Sequence, residues 1–575
     1  MAVRRLNEGG RAEQSVLRRA MSLGTRPLMF AALFSLVSNL LFLSYPLYTT
    51  QVYSRVLTSQ SGSTLLVLTF GIAFVFLISS AIDHLRDQVL AGFGVVFDQQ
   101  VAAQVFAALF DAVVRRQDTR AQALRDLDVL RQTVSGSAIG ALFDLPWMPL
   151  FLLVLFIADP WIGIATVVGM VTLGLLAFMQ ERATSAALKT ASSAAIRSYG
   201  YTDAALRNGE VVRALGMLPR LGQQWSQYRH KSLSAGLGAG EAASRYQAVT
   251  RYVRMMIQVA VIAIGAYLVV LRKIPSGLLF ANMILAARAM APIERIVGSW
   301  KILFEATQAY RRLDKALAGY EPPVPTTQLP VPSGTVTVEN VNFAPAGAPA
   351  LVLVAVSFGI KAGEMVGVIG PSGAGKSTLA RLLVGIWKPL NGAVRLDGAD
   401  VYSWDREDFG RHVAYQPQDT ELFSGTVRDN IARFRDDVDD ADVIRAAQMA
   451  GAHDLIVRLP NGYDTELGEA GAVLSAGQRQ RVGLARTMFG DPKLVVLDEP
   501  NANLDAEGEA AMQGALAALK ERGATIILIS HKPSAFVQAD KLLVLRDGRV
   551  TMFGPREEVM AHLSGQRPPL AEVRA

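Results

Sequence analysis

The sequence predicts a multi-domain protein in which an α-helical domain with six transmembrane spans precedes an α/β domain. The first observation is composition: 51% of the 575 residues are apolar and only 19% are charged, whereas soluble domains average about 45–50% and about 25%. The second is that long apolar spans occur only in the first 300 residues, and the third is a short buried strand, a glycine loop and a helix after residue 334. We place a transmembrane domain at 1–320, a proline-rich linker at 321–333, an α/β domain at 334–563 and a tail at 564–575.

The two parts also differ in charge. Residues 1–325 hold 32 Lys and Arg against 19 Asp and Glu, a balance of +13, and residues 326–575 hold 25 against 31, a balance of −6. Basic segments between apolar spans are typical of the cytoplasmic loops of membrane proteins, not of a nucleic-acid-binding domain. The chain has no cysteine, which excludes disulfides, thiolate metal sites and a cysteine nucleophile.

Six apolar stretches have the length that a membrane span needs, which is about 20 residues. The first is too long for a secretory signal and no small-residue cleavage site follows it. The predicted spans are Pro27–Tyr48, Thr64–Ile82, Ile139–Ala158, Trp161–Met179, Met255–Leu271 and Ser276–Val297.

The spacing of the spans predicts their orientation. Two long polar segments with helical periodicity, at 83–138 and 180–254, follow spans two and four, and the N-terminus holds six arginines. Because positive residues near span ends stay in the cytoplasm, we expect the N-terminus, both segments and the α/β domain to be cytoplasmic. The outer loops, at 49–63, Asp159-Pro160 and 272–275, are short. Inner-membrane localisation is expected.

Three residues within the spans stand out. Asp144 in span three is interpreted as lying at the inner interface or in a water-filled cavity, with a functional role as the alternative. Arg288 in span six is expected to face the bundle interior or a cavity, where substrate contact and pairing with another residue are both open. Pro292 is expected to kink span six.

A phosphate-binding loop follows the β-branched run 366–369, and an apolar helix follows the loop. The loop matches G-x-x-x-x-G-K-S/T, in which backbone N–H groups surround a β-phosphate, the lysine reaches the β- and γ-phosphates and the hydroxyl coordinates Mg²⁺. The strand and helix on either side make a chance match improbable. The predicted nucleotide-binding residues are Gly370, Pro371, Ser372, Gly373, Ala374, Gly375, Lys376, Ser377 and Thr378.

Two adjacent acids end another apolar run, at 494–497. A buried strand there would bring Asp498 to the Mg²⁺ ion, which prefers oxygen ligands. Glu499 could then polarise the attacking water or accept its proton.

The segment Leu474-Ser475-Ala476-Gly477-Gln478 resembles the LSGGQ signature of the ATP-binding cassette (ABC) transporter family, and the resemblance extends over 334–563. It implies that the protein hydrolyses ATP with Mg²⁺, and that Ser475, Gly477 and Gln478 bind the nucleotide. Three further positions resemble family motifs: Gln418 the Q-loop glutamine, which contacts Mg²⁺ and the attacking water, Asp505 the D-loop aspartate, and His531 the switch histidine near the γ-phosphate.

One feature departs from the family. The aromatic residue that usually stacks on adenine is missing just before Pro345, where Asn342-Phe343-Ala344 stands. Phe343 is the nearest substitute but lies one position too early. Adenine recognition is therefore open, while Ala476 in place of glycine is a milder change.

Six spans with one ATP-binding domain resemble a half-transporter, which implies a homodimer with two equivalent ATP sites. Coupling helices are expected near 118–130 and 205–216. Spans three, four and six resemble type I protein secretion exporters of the protease, lipase and repeat-toxin branch. The N-terminus is too short for a peptidase domain. The resemblance implies an unfolded protein substrate with an uncleaved C-terminal signal, a periplasmic membrane-fusion adaptor and an outer-membrane channel.

Three other functions share part of these sequence features. A lipid or drug exporter acting alone would share the ATPase and differ in cargo and partners. An ATP-gated channel would not need an intact Glu499 and His531. A soluble DNA-repair ATPase is disfavoured by the six spans, and no nucleic-acid partner is expected; the surrounding membrane lipid is.

Overall fold

A computed structural model describes residues 16–114, 122–318, 320, 329–345, 347–348, 350–501 and 504–563. The described residues fall into two compact units, one with residues up to 113 together with 122–320, and one with residue 114 together with 329–563. Most of the predicted linker, 321–328, and the whole predicted tail, 564–575, lie outside the described residues.

The described residues up to 320 are mostly helical, with short turns between the helices, and the second and fourth spans continue without a break into the long polar segments that follow them. The helices are α1 (Val16–Leu23), α2 (Thr25–Phe42), α3 (Ser44–Gln51), α4 (Leu57–Ser59), α5 (Gly62–Val114), α6 (Gln122–Val134), α7 (Ser137–Asp144), α8 (Met148–Ala158), α9 (Pro160–Arg207), α10 (Gly209–Ala214), α11 (Leu218–Val270), α12 (Ser276–Gly298) and α13 (Trp300–Ala318).

Six helical runs in the described residues are long and apolar enough to cross a membrane, which confirms the predicted number. Each predicted span lies within its run or ends one residue beyond it. The runs are Thr25–Ser59, Gly62–Val114, Ala138–Ala158, Pro160–Arg207, Leu218–Val270 and Ser276–Gly298.

The outer loops are shorter than the sequence suggested. The expected loop at 49–63 is wrong over most of its length, because helix continues to Ser59 through one π-helical segment, Val52–Val56. At the next outer corner Asp159 alone separates α8 from α9, and its carboxylate accepts a hydrogen bond from the Trp161 N–H at 2.8 Å. Such a cap satisfies one of the four unpaired N–H groups at a helix start. The third loop occupies residues 271–275.

Proline has different effects in the third and the sixth span. In the third span a 3₁₀ turn at Leu145–Trp147, which includes Pro146, separates α7 from α8. In the sixth span α12 runs through Pro292 without interruption. Pro292 itself is buried among the residues of α12 that face the helix bundle.

The described residues of the second unit form ten strands in two sheets and eight α-helices. The strands are β1 (Val336–Phe343), β2 (Leu353–Ile360), β3 (Met365–Ile369), β4 (Asn391–Leu396), β5 (Ala399–Asp400), β6 (Val413–Gln416), β7 (Leu494–Asp498), β8 (Thr525–Ile529), β9 (Lys541–Arg546) and β10 (Arg549–Pro555). The helices are α14 (Lys376–Leu383), α15 (Arg406–His412), α16 (Val427–Ile431), α17 (Asp440–Met449), α18 (His453–Val457), α19 (Ala476–Met488), α20 (Ala506–Glu521) and α21 (Arg556–Leu563).

The larger sheet carries the candidate site. Its strand order is β10-β9-β3-β8-β7-β6, with all pairs parallel except β10 with β9. Strands β7 and β8 are buried along their whole length, as parallel strands covered on both faces require. The smaller sheet, β2-β1-β4-β5, is antiparallel. Because parallel strands all end at one edge, the residues that follow β3, β7 and β8 meet there.

Candidate functional site

The predicted phosphate loop joins β3 to α14. Its outer part, Pro371 to Gly373, is exposed, whereas Ala374 and Lys376 are buried. The Lys376 ammonium donates to the carbonyl oxygens of Gly370 at 2.8 Å and Pro371 at 3.0 Å, so the side chain folds back over its own loop. Burial lowers the pKa of Lys376, and the nearby Glu499 and Asp498 oppose that shift. A buried ammonium beneath exposed loop N–H groups suits a polyphosphate.

Two loop positions require glycine for different reasons. A Cβ atom on Gly370 would lie 2.1 Å from the carbonyl oxygen of Leu545, so the loop leaves β3 against neighbouring backbone. Gly375, directly before Lys376, has φ +97°, in the left-handed region that other residues seldom adopt. Ser377 and Thr378 lie in the first turn of α14, half-buried.

Asp498 is the last residue of β7, as the sequence indicated. Its side chain is 1% exposed, and burial raises the pKa of the carboxyl, while a hydrogen bond with the Ser377 hydroxyl opposes that rise. Asp498 Oδ1 is buried without a hydrogen-bond partner among the described residues. A buried carboxylate oxygen beside a hydroxyl is a donor set that fits Mg²⁺, whose other positions are usually filled by water and phosphate oxygens. Ser377 and Asp498 would therefore hold the ion.

Of the three residues predicted to be catalytic, Glu499 contacts both of the others. Glu499 follows β7 in a left-handed conformation, φ +51°, and its N–H donates to the Ile529 carbonyl at 2.9 Å. Gln418 Nε2 donates to Glu499 Oε2 at 3.1 Å, and His531 Nε2 lies 3.0 Å from Glu499 Oε1. A carboxylate held at both oxygens by a glutamine and a histidine can orient a water molecule and accept its proton.

The signature segment lies at the start of another helix. Ser475 caps α19: its N–H donates to Gln478 Oε1 at 2.9 Å and its Oγ accepts from the Gln478 N–H at 3.3 Å. Gly477 occupies the first turn of that helix. These hydrogen bonds join the signature residues to each other and not to the phosphate loop. Ser475 is exposed at this helix N-terminus, a position that favours an anion.

Asp505 caps the neighbouring helix α20. Its carboxylate accepts from the Gly508 N–H at 2.8 Å and from Arg481 at 2.9 Å, and these contacts hold the pKa of Asp505 below its usual range. Arg481 belongs to α19, so the Asp505 pair fixes the signature helix to the helix that follows β7.

The Phe343 side chain is buried inside the second unit. The ring is 6% exposed and stacks on Trp387, with ring centroids 5.1 Å apart and planes 9° apart. The Arg381 guanidinium lies 4.8 Å from the Trp387 ring centre. Phe343 is therefore a core residue, and its ring is not presented at the surface where it could stack on adenine.

Asp144 lies in a group of buried polar residues that the sequence analysis missed. Its side chain is 4% exposed, so the interpretation that it faces a water-filled cavity is wrong. Its oxygens accept from Ser35 at 2.7 Å, Asn39 at 3.2 Å and Arg295 at 2.8 Å, and Arg86 lies at 3.6 Å. One carboxylate thus joins α2, α5, α7 and α12. The sequence could have indicated this polar group, because Ser35 and Asn39 are two polar residues four positions apart in an apolar span.

The expectation that Arg288 faces the bundle interior is confirmed. Its guanidinium donates to Asn39 Oδ1 at 3.0 Å and lies 4.6 Å from the centre of the Phe42 ring.

Comparisons with known proteins agree with both halves of the chain. Residues 28–293 match the ABC transporter transmembrane region and residues 353–502 match the ABC transporter family. The chain is 41% identical over 531 residues to the type I secretion system ATP-binding protein PrsD of Rhizobium meliloti, covering 92% of this chain and 91% of that protein. It is 29% identical over 537 residues to the cyclolysin secretion/processing ATP-binding protein CyaB of Bordetella pertussis, covering 92% and 75%.

A solved structure has the same fold. A bacterial Atm1-family ABC exporter with ATP bound superimposes with a TM-score of 0.83 over 96% of this chain and 100% of that chain, at 23% identity. The fold class predicted from the sequence, six membrane-spanning helices followed by an α/β ATP-binding domain, is confirmed.

Proposed function

Because the chain belongs to the ABC transporter family and is an ATP-driven exporter, we propose that it carries an unfolded polypeptide with an uncleaved C-terminal signal across the inner membrane, as part of a type I secretion system. The observation that carries the proposal is the 41% identity to PrsD, which spans both halves of the chain. The chain also resembles CyaB over most of its length. Similarity confined to the ATP-binding domain would have supported the ATPase alone.

We assign the roles in hydrolysis as follows. The N–H groups of residues 370–378 and the Lys376 ammonium bind the phosphates of ATP. Ser377 and Asp498, with Gln418, hold Mg²⁺, which neutralises charge on the phosphate oxygens when it is bound. Glu499 orients water and accepts its proton, and His531 holds Glu499 in place and faces the γ-phosphate. The contacts of Glu499 with Gln418 and His531, at 3.1 and 3.0 Å, support this assignment.

The signature residues lead us to propose a homodimer. Within one chain Ser475 and Gln478 hydrogen-bond each other, Ser475 stays exposed, and these hydrogen bonds do not reach the phosphate loop of the same chain. A second copy of the chain, facing the first, would supply one. Each ATP would then lie between the phosphate loop of one copy and Ser475, Gly477, Gln478 and Asp505 of the other.

The second coupling segment supports the same arrangement. Residues 205–216 form the end of α9, α10 and the turn after it, and Leu206 and Leu215 there are exposed at 74% and 70%, as is Leu218 just beyond at 69%. Leu206 and Leu218 border an apolar recess of about 610 Å³. Apolar surface at the tip of a cytoplasmic segment needs a partner, and we propose the ATP-binding domain of the second copy. Of the first segment, 118–130, residues 118–121 lie outside the described residues.

The outer side of the membrane domain constrains the partners. Its three connections occupy only residues 60–61, 159 and 271–275. So little surface beyond the membrane offers no platform for a large partner. A periplasmic adaptor would therefore contact the lipid-facing sides of the spans through a membrane helix of its own, and would recruit the outer-membrane channel.

The experiment that tests the cargo uses the reconstituted transporter. We expect the C-terminal fragment of a secreted protein encoded beside this gene to bind and to change the ATPase rate, and we expect export to stop when the fragment is deleted from the cargo. Deletion of the cargo's N-terminus is the matched control and should leave export intact. Strong stimulation by lipids or hydrophobic drugs, with no binding of the secreted protein, would replace the proposal with a lipid or drug exporter.

A further inference from the structure

Arg288 lies far from both ends of the helix that carries it. In α12 it is twelve residues after Ser276 and ten residues before Gly298. At 1.5 Å per residue the guanidinium-bearing residue is about 18 Å from one end and about 15 Å from the other. A cation at this depth is costly unless a protein group, water or a bound anion compensates it.

The protein compensates Arg288 only in part. Its described contacts are one hydrogen bond to the neutral Asn39 Oδ1 at 3.0 Å and the face of the Phe42 ring at 4.6 Å. No carboxylate among the described residues lies within ion-pair distance of it. A guanidinium has five N–H donors, so most of its donors are free of protein acceptors in the described part of the chain.

The neighbouring charges do not remove this excess. The charged groups that act on Arg288 are equal in number, with Asp144 and Asp83 as the acids and Arg295 and Arg86 as the bases. Asp144 is moreover engaged by Arg295 at 2.8 Å and by Arg86 at 3.6 Å. Arg288 therefore keeps one positive charge without a counter-ion.

The surroundings hold Arg288 in a fixed orientation. Asn39 Nδ2 donates to Asp144 Oδ1 at 3.2 Å and to the Ser35 carbonyl at 2.8 Å, which leaves Asn39 Oδ1 to accept from Arg288. Phe42, one turn further along α2, supports one face of the guanidinium. The remaining edge of the planar group is the part that can pair with a carboxylate through two parallel hydrogen bonds.

We propose that Arg288 is a binding site for carboxylate groups of the transported polypeptide, with Asn39 and Phe42 as its positioning residues. The inference rests on the proposed function, since it identifies the part of the cargo that the membrane domain recognises. Arg288 contacts Asn39 and Phe42 of α2 and so faces the helix bundle, where a side chain or chain end of the cargo fits better than a headgroup of the surrounding lipid.

The test compares synthetic peptides on the full-length transporter in phosphatidylcholine nanodiscs. One peptide of 20 residues contains several aspartates, and its matched partner has asparagine at the same positions; each is made with a free and with an amidated C-terminus. Binding is measured by fluorescence anisotropy. If aspartate side chains are the ligand, the aspartate peptide binds about ten- to a hundredfold more tightly than the asparagine peptide, as a charge-assisted hydrogen bond predicts. If the chain end is the ligand, amidation produces that loss instead.

Three variants then locate the effect. Arg288→Gln should abolish the preference for the carboxylate-bearing peptide, and Arg288→Lys should keep part of it, since the charge stays and the bidentate geometry is lost. Arg251→Gln makes the same charge change at an exposed arginine of α11, four residues before predicted span five, and should bind both peptides as the unaltered protein does. Size-exclusion chromatography and ATP-analogue binding show whether each variant is folded, and the peptide comparison on the unaltered protein needs no variant.

The outcomes separate the two proposals. Equal binding of all peptides by the unaltered transporter would overturn the Arg288 site and leave a polypeptide cargo standing. A preference that persists in Arg288→Gln would also overturn it. Binding of no peptide would count against both. If phosphatidylglycerol nanodiscs suppress the preference as strongly as free acidic peptide does, the site binds lipid phosphate and the carboxylate proposal fails.

Discussion

Replacement of Phe343 by alanine should destabilise the ATP-binding domain without changing its choice of nucleotide. The ring is 94% buried and stacks on Trp387 at a centroid distance of 5.1 Å. Phe→Ala in a core costs about 3–5 kcal/mol through lost burial and the cavity that remains. For a domain of this size about 1 kcal/mol shifts the unfolding midpoint by about 2–4 °C, so a cost of about 4 kcal/mol lowers it by roughly 8–16 °C.

The same position tests how the base is recognised. Phe343→Leu keeps most of the volume and should cost less than about 1.5 kcal/mol, so it removes the aromatic ring from a domain that stays folded. Because the ring faces Trp387 and not an exposed surface, we expect similar affinities for ATP and GTP in the unaltered protein and the same ratio in Phe343→Leu. Thermal unfolding and competition binding measure the two effects. A strong preference for ATP that Phe343→Leu loses would refute the reasoning.

Four further expectations concern hydrolysis, assembly, acid sensitivity and packing. Glu499→Gln should still bind ATP and turn it over about 10²- to 10⁴-fold more slowly, because an amide cannot accept the proton; a normal steady-state rate would remove Glu499 from its role. Ser475→Arg and Lys376→Ala should each lack ATPase activity alone and regain part of it as mixed subunits, since one composite site is then intact; no recovery would argue against the homodimer. Burial raises the pKa of Asp498 above its ordinary value, so protons should displace Mg²⁺ at a higher pH than from an exposed aspartate. Mg²⁺ titrations between about pH 4 and pH 7 would reveal this pH dependence, and Asp498→Asn should remove it. Arg312→Ala should lower the unfolding temperature more than loss of its acidic partner does, as differential scanning of both variants would show.

The number of spans could be predicted and their length could not. Hydropathy marks the part of a helix that lies in lipid, and α5 and α11, of 53 residues each, continue far beyond it. The continuations are more polar but keep a helical periodicity, so hydropathy shows where a helix leaves the lipid and not where the helix ends. The chain also stays helical through residues 49–59 of the predicted outer loop, because no proline or pair of glycines interrupts residues 47–59.

The candidate ATP site could be predicted because its parts are local. A glycine loop between a strand and a helix, or two acids after a buried strand, is specified by a few consecutive residues, and β3, β7 and β8 then bring those parts to one edge of the sheet. The order of the family motifs indicated separate roles for Glu499 and His531, and their contact at 3.0 Å appears only in the structure. The stack of Phe343 on Trp387 joins residues 44 positions apart in two elements, and no pattern near either residue indicates it.

Buried ion pairs in the membrane domain depend even more on distant sequence. Asp126 is bound by Arg312 from 186 positions away, through two hydrogen bonds of 2.7 Å, and Asp144 is bound by Arg295 from 151 positions away. Since each element is amphipathic or apolar by itself, the sequence shows which side chains are charged and gives no distance between them. These contacts decide which helices pack together, and the sequence alone does not reveal them.

The two pairs share an asymmetry that determines what their loss would do. Asp126 and Asp144 are 2% and 4% exposed, while Arg312 and Arg295 are 38% and 47% exposed. Removal of an arginine leaves a carboxylate buried without its partner, which costs about 3–5 kcal/mol in a fully buried pair. Removal of the acid leaves an arginine that can turn into water. Arg312→Ala should therefore be more destabilising than Asp126→Asn, although both delete the same ion pair; equal losses would mean that the attraction between the charges, and not the burial of the carboxylate, determines the cost.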